Sequence, residues 1–189
     1  MGEKITRVLE KPADEAAKRL LGCYLVREIN GQRLVGKIVE TEAYDQHDVA
    51  SHSYRGETTR TKVMFGPAGR LYVYFTYGMH YCCNVVTGKQ GEGAAVLLRA
   101  LEPLEGGELM RLNRHGRTDL TNGPAKLCQA LQIDKVWDGH DLHQSPLQLL
   151  VKPALKPETI AQTTRIGIKQ GAEVPWRFYI RGNRWVSRL

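Results

Sequence analysis

The stretch LYVYFTYGMHYCCN, residues 71–84, decides how this chain is read. Leu71, Val73 and Phe75 alternate with Tyr72, Tyr74 and Thr76, the period of a pleated strand with two different faces. Tyr77-Gly78-Met79 then interrupts the run. Gly78 permits a tight bend or a close backbone approach, and a bend here pushes Tyr77 and Met79 outward as a blunt apolar wedge. An exposed apolar wedge on a basic protein is a device for entering a base stack and kinking a duplex.

The charge of the chain fits such a partner. Its 189 residues carry 27 Lys and Arg against 20 Asp and Glu, a net charge of +7 with a pI near 9.3. That balance favours a polyanion, through phosphate contacts and counterion release; a merely basic enzyme shows the same balance. With 42% hydrophobic residues the chain builds a normal core, which excludes wholesale disorder and fits one domain over residues 1–189. Arginines thicken toward the end: Arg165, Arg177, Arg181, Arg184 and Arg188. Clustered, they form a phosphate-facing surface, with Arg165 a candidate backbone contact; spread, they are solvated decoration.

Four cysteines, Cys23, Cys82, Cys83 and Cys128, include no CxxC pair. They form neither a zinc knuckle nor a disulfide framework and read as buried free thiols in a reducing compartment. The N-terminal MGEKITRVLEKPADEAA lacks the apolar core of a signal peptide, and no run is long enough to span a bilayer. The expectation is an intracellular, cytoplasmic protein associated with the nucleoid, monomeric and without a membrane partner.

Along the chain, Pro12 to Gly22 reads as a short helix, with acids in its first turn and bases near its end. Residues 24–29 and 34–41 read as strands joined at Asn30-Gly31, a two-residue hairpin signal. Residues 46–69 are polar and read as a long loop, of a length that is usually functional inside a compact domain. Further strands are expected over 71–77, 94–101, 147–151 and 177–180. Helices are expected over 108–114 and 124–131, the latter capped by Thr121 or Asn122. The fold class is α+β: one mixed domain around a curved, largely antiparallel sheet with peripheral helices, since hairpins outnumber βαβ units.

Glu42 ends the strand GKIVETEAY beside the long loop, where reactive groups are often presented. It shares a sheet face with Glu40. One glutamate suffices to hold a water against an electrophilic carbon, helped by a cation; the plain alternative is a pair of exposed strand residues. Arg99, within AAVLLRAL, needs a carboxylate partner because a charge among apolar residues is costly unpaired; Glu42, Glu40 and Glu102 are the candidates. Tyr44 and His52 straddle the start of the long loop and offer flat rings to sandwich a nucleobase. Glu42, His47, Asp48 and His52 could instead ligate a metal, though their spacing matches no zinc motif. Asn84 can read a base edge or cap a turn. Lys126, at a helix start where a cation opposes the dipole, suits a phosphate neighbour or plain solvent.

Taken together, GKIVETEAY, ASHS, LYVYFTYGMHYCCN, AAVLLRALEPLEG, NGPAKLCQAL and RFYIRGNRWVS closely resemble the alkyladenine (3-methyladenine) DNA glycosylase family of mammals and many bacteria. The resemblance implies hydrolysis of the N-glycosidic bond of damaged purines (3-methyladenine, 7-methylguanine, hypoxanthine) in double-stranded DNA. It implies water as nucleophile, without cofactor, metal or covalent lysine intermediate, and an abasic product. It places Glu42 as general base, with Arg99 and the Ile166 backbone carbonyl holding the water. Tyr44, His52 and Tyr74 would line the flipped-base pocket. Tyr77, with Met79 beside it, would fill the gap in the duplex, and Asn84 would disfavour the 2-amino group of guanine. The loop DQHDVAS is one residue shorter than in mammalian members, SYRGETTRTKVMFG differs in detail, and the mammalian N-terminal extension is absent. Two other readings remain open on the residues alone: a non-catalytic binder of distorted nucleic acid, and an enzyme on free nucleosides.

Overall fold

The computed structural model describes residues 5–188. Its frame is one antiparallel sheet of eight strands, curled around an apolar core with short helices at its periphery. The expected class is observed. Among the described residues no helix is long and apolar enough to cross a membrane.

Two short helices, α1 (Ile5–Leu9) and α2 (Ala13–Leu20), come first among the described residues. Helix α2 carries Asp14 and Glu15 in its first turn and buries Ala13, Ala16, Ala17 and Leu20 on one face, as the sequence pattern requires. Strands β1 (Tyr24–Ile29) and β2 (Gln32–Tyr44) form the hairpin expected at Asn30-Gly31. Both turn residues have positive φ, 49° and 77°, the handedness that matches strand twist. Strand β2 is longer than its sequence reading because its C-terminal half is buried almost throughout and pairs on both edges.

β3 (Leu71–Thr76) and β4 (His80–Val86) form the second hairpin, and β4 joins β5 (Ala95–Glu105), which pairs with β2. The main path runs β3-β4-β5-β2-β1-β6, with β6 at Leu147–Leu150. β8 (Arg177–Ile180) continues the free edge of β2 beyond β1 and pairs with β7 (Ile160–Thr163), a strand without a clear period in the sequence. The outer edge of β3 is blocked rather than left open. Val73 donates its amide to Asp138 Oδ1 at 2.8 Å and accepts from Lys135 Nζ at 2.9 Å, so no unpaired ladder invites another chain at that point.

Helices α3 (Gly107–Asn113) and α4 (Pro124–Ala130) lie where expected. The expected cap of α4 is corrected: Gly123 occupies the cap position. The Thr121 hydroxyl is drawn away to Leu101 O at 2.6 Å, and Asn122 accepts from Lys126. The long loop over 46–69 contains one 3-10 turn, Lys62–Phe65, and is held from within. Ser51 and Ser53 share a hydrogen bond of 2.7 Å, and Ser53 Oγ donates to Gly93 O at 2.7 Å. Gly93 is required there: a Cβ would sit 2.5 Å from the Phe65 ring and 2.7 Å from Ser53 Cβ. All four cysteines are buried free thiols.

Candidate active site

Glu40 and Glu42 are fully buried, which overturns the exposed-strand alternative. A β-bulge explains how Arg99 reaches both. Glu40 pairs with Ala100 and Thr41 with Leu98, so Arg99 is the extra residue on β5, and a bulge re-aims a side chain. Its Nε donates to Glu40 Oε1 at 3.1 Å and its Nη1 to Glu42 Oε2 at 3.2 Å. Burial lowers the basicity of the guanidinium, but the Glu42 and Glu40 carboxylates outweigh it and hold the charge firmly. Glu102, the third candidate partner, pairs with Lys37 instead.

The two carboxylates are held differently. Glu40 also accepts from Arg177 Nε at 2.7 Å and from the Ser187 amide at 2.6 Å, so it anchors the C-terminal segment to the sheet. Glu42 Oε1 accepts the Ile166 amide at 2.7 Å, and Oε2 accepts the Tyr44 hydroxyl at 2.8 Å beside Arg99. The Ile166 contact that forms is therefore an N–H donated to the carboxylate, where the resemblance concerned its carbonyl. The Tyr44 phenol keeps its proton strongly, first because it is buried and then because Glu42 lies against it.

In front of Tyr44 opens a slot of about 190 Å³, lined by Tyr44, His52, Tyr72, Tyr74, Asn84 and Ile168 among others. That is below the ~300–1,000 Å³ of pockets for drug-sized ligands, a scale suited to one planar ring system. His52 stands edge-on to Tyr74, with centroids 4.6 Å apart and planes at 83°, and its Nδ1 lies 3.0 Å from the Tyr72 hydroxyl. Partial burial, and then the Arg60 cation, push the imidazole down to about 4, so it is neutral at physiological pH. Asn84 Nδ2 donates to Tyr72 O at 3.3 Å, which fixes its amide in the wall. Tyr72 was not singled out from the sequence. Its signal was its place on the same strand face as Tyr74.

The wedge is present. Tyr77 and Gly78 both have positive φ, 51° and 69°, in the β3–β4 turn, and Tyr77 is 82% exposed with Met79 at 70%. An aromatic residue in the left-handed region costs about 1–3 kcal/mol. This one gains no burial within the chain in return, a pattern that marks functional sites.

Two expected backbone contacts are placed differently. Arg165 is not on the surface: it is 5% exposed and donates to Ala43 O at 3.0 Å, to both oxygens of Asp48 and to Gly171 O at 3.0 Å. Its guanidinium also lies 4.7 Å from the Tyr44 ring centroid. Its Nη1 and Nη2 groups are therefore committed within the chain, away from the surface position the sequence suggested. Arg177 is likewise buried, so the C-terminal arginines do not form one cationic face; Arg181, Arg184 and Arg188 remain exposed. Lys126 is answered within the chain by Asp119 Oδ2 at 3.0 Å and Asn122 Oδ1 at 3.0 Å. Glu42, His47, Asp48 and His52 do not converge, and among the described residues no three His, Cys, Asp or Glu side chains are grouped as a metal would need.

A strained wedge beside a ring-lined slot, with a carboxylate behind it, is the equipment of an enzyme that works on an extruded base. A family model described as methylpurine-DNA glycosylase matches residues 7–184, and the chain belongs to that family of DNA repair enzymes, hydrolases of N-glycosyl bonds. A protein of Carboxydothermus hydrogenoformans is 55% identical over 91% of this chain and 92% of its own length. One from Methanoculleus marisnigri is 51% identical over 95% of each chain, and one from Francisella tularensis is 48% identical over 96% of each. All three carry the name "putative 3-methyladenine DNA glycosylase".

Proposed function

We propose that this enzyme excises 3-methyladenine, and with it 7-methylguanine and hypoxanthine, from double-stranded DNA by attack of one water. It acts as a monomer on nucleoid DNA. Tyr77 enters the duplex and occupies the vacated space, with Met79 alongside. The damaged purine turns into the slot and stacks among Tyr44, His52 and Tyr74, while Asn84 bars the 2-amino group of guanine. Glu42 takes a proton from the water as its oxygen bonds to the sugar C1′. The bond from C1′ to the base nitrogen breaks, and its electron pair leaves with the base. Arg99 holds the Glu42 carboxylate in place, and the Ile166 segment closes the site against it. A purine methylated at N3 or N7 carries positive charge and departs neutral, so a single positioned base suffices; an electron-rich slot also attracts the cation.

The observation that carries this reading is the position of Glu42. It is fully buried, bonded to Arg99 at 3.2 Å, and joined to the slot through the Tyr44 hydroxyl at 2.8 Å. The test is a duplex carrying one hypoxanthine or one stable 3-methyladenine analogue, treated with alkali after incubation. Strand breakage at the lesion is expected. Tight lesion binding without breakage would instead make the chain a binder of distorted DNA, with Glu42 a structural anion.

A further inference from the structure

Arg60 sits at the rim of the slot, on the long loop, and is exposed. It lines a groove that shares Ser51 and His52 with the slot. Its Nη2 lies 3.2 Å from His52 Nε2, and its guanidinium carbon is 5.8 Å from the centroid of Tyr74, a wall of the slot. Among the described residues no carboxylate forms an ion pair with it. A surface arginine held against a neutral ring rather than an acid spends its charge on whatever enters beside that ring.

The contact also settles the imidazole. A guanidinium has only donors, so His52 Nε2 must present its lone pair, and the ring proton resides on Nδ1, donated to the Tyr72 hydroxyl at 3.0 Å. His52 is thereby a neutral ring in one tautomer, backed by a positive charge on its outer edge. Arg60, His52 and Tyr72 form one chain of hydrogen bonds across the slot's rim.

The consequence follows from where charge moves. When the glycosidic bond breaks, its electron pair passes to the base. A methylated cationic purine goes from positive toward neutral, so a cation at the rim meets only a small residual charge on the base in the transition state. A neutral purine such as hypoxanthine becomes negative as it leaves, and the same cation stabilises it. Relative to free enzyme and free DNA, Arg60 therefore assists neutral lesions and has little effect on cationic ones.

We propose that Arg60 is a specificity-determining residue, acting with His52, that extends excision to neutral purines by stabilising the negative charge of the departing base. This rests on the reading of the slot as the lesion pocket. Because Arg60 is exposed and carries no internal ion pair, its replacement leaves the fold intact.

The experiment compares single-turnover kcat/KM on two duplexes, one with hypoxanthine and one with 7-methylguanine, for the unaltered enzyme, Arg60→Gln and Arg60→Lys. For Arg60→Gln, hypoxanthine excision is expected to fall at least about tenfold while 7-methylguanine stays within about threefold, since one charge at this range is worth that much at the effective dielectric of a protein surface. Binding of the cationic lesion should tighten. Arg60→Lys, which keeps the charge, should recover most of the hypoxanthine activity. Equal losses on both lesions would overturn the proposal and make Arg60 a backbone contact, the more so if the dependence on salt became shallower by about one ion. Failure of the unaltered enzyme to cut either lesion would instead overturn the proposed function itself.

Discussion

The Tyr44 hydroxyl donates to Glu42 Oε2 at 2.8 Å, so the ring that forms a wall of the slot also covers the carboxylate behind it. The two residues are two apart on β2 and share a face of the sheet, which sets this contact without any long-range folding. Arg99 and the Ile166 amide complete the shell. Each of these three neighbours donates to Glu42, which suits its carboxylate as an acceptor.

Glu42→Gln tests this shell. An amide offers one acceptor, so either the Ile166 side or the Tyr44 and Arg99 side would meet a donor. The variant should lose about 1–3 kcal/mol of stability and at least about a hundredfold in excision rate, as a general base requires. Lesion binding should persist, since the rings remain. Single-turnover rates and binding on one hypoxanthine duplex decide it; unchanged turnover removes Glu42 from the chemistry.

Tyr77 should show stability and function in opposition. Its φ of 51° costs an L-residue about 1–2 kcal/mol. Tyr77→Gly removes that strain, at some entropic cost, and should leave thermal stability equal or raised by up to about 1 kcal/mol. The same change should weaken lesion capture in duplex DNA more than in single strands. Equal losses on both substrates would deny the wedge its role.

Arg165 should behave as structure and not as a phosphate contact. Its side chain has no exposure, and it ties Ala43, Asp48 and Gly171 together beneath Tyr44. Arg165→Met strands Asp48 as an unpaired buried charge, which costs about 3–5 kcal/mol. A fall in Tm of about 10 °C follows for a chain of this size. The salt dependence of DNA binding by the folded protein should stay unchanged, whereas loss of a phosphate contact would flatten it.

The His52 imidazole gives a pH signature. Its folded-state value, about 4, lies below the usual 6.5. Between those values the unfolded chain binds more protons, so stability falls as pH drops through this window and is restored above it. His52→Gln should remove that part of the acid sensitivity. Arg60→Gln removes a like charge and should raise the His52 value toward its ordinary one. Melting curves over the window and a proton NMR titration of the ring measure both; an imidazole that titrates near its usual value in the unaltered protein contradicts the arrangement.

Much of this molecule was legible from short-range signals. Period-two runs, Asn30-Gly31 and the Tyr77-Gly78 break placed the hairpins, because turn geometry and strand alternation are set by neighbouring residues. The short motifs named Glu42, Arg99, Tyr44, His52, Tyr74, Asn84 and Tyr77, and every ring and amide among them meets in the slot or its wedge. Strand β7 leaves no such signal, because four residues with mixed burial carry no period.

By itself the sequence determined the strand faces, the turns and the chemical types on offer. Only the tertiary structure decided which charges meet. Arg99 and Glu40 are 59 residues apart, Ile166 and Glu42 are 124 apart, and a one-residue bulge determines where Arg99 points. The same holds for Arg165, which reads as a surface cation until folding brings Asp48 to it from 117 residues away. Local rules act between neighbours, whereas burial and ion pairing depend on the packing of the whole chain, and so the partners of a buried charge become visible only once it is packed.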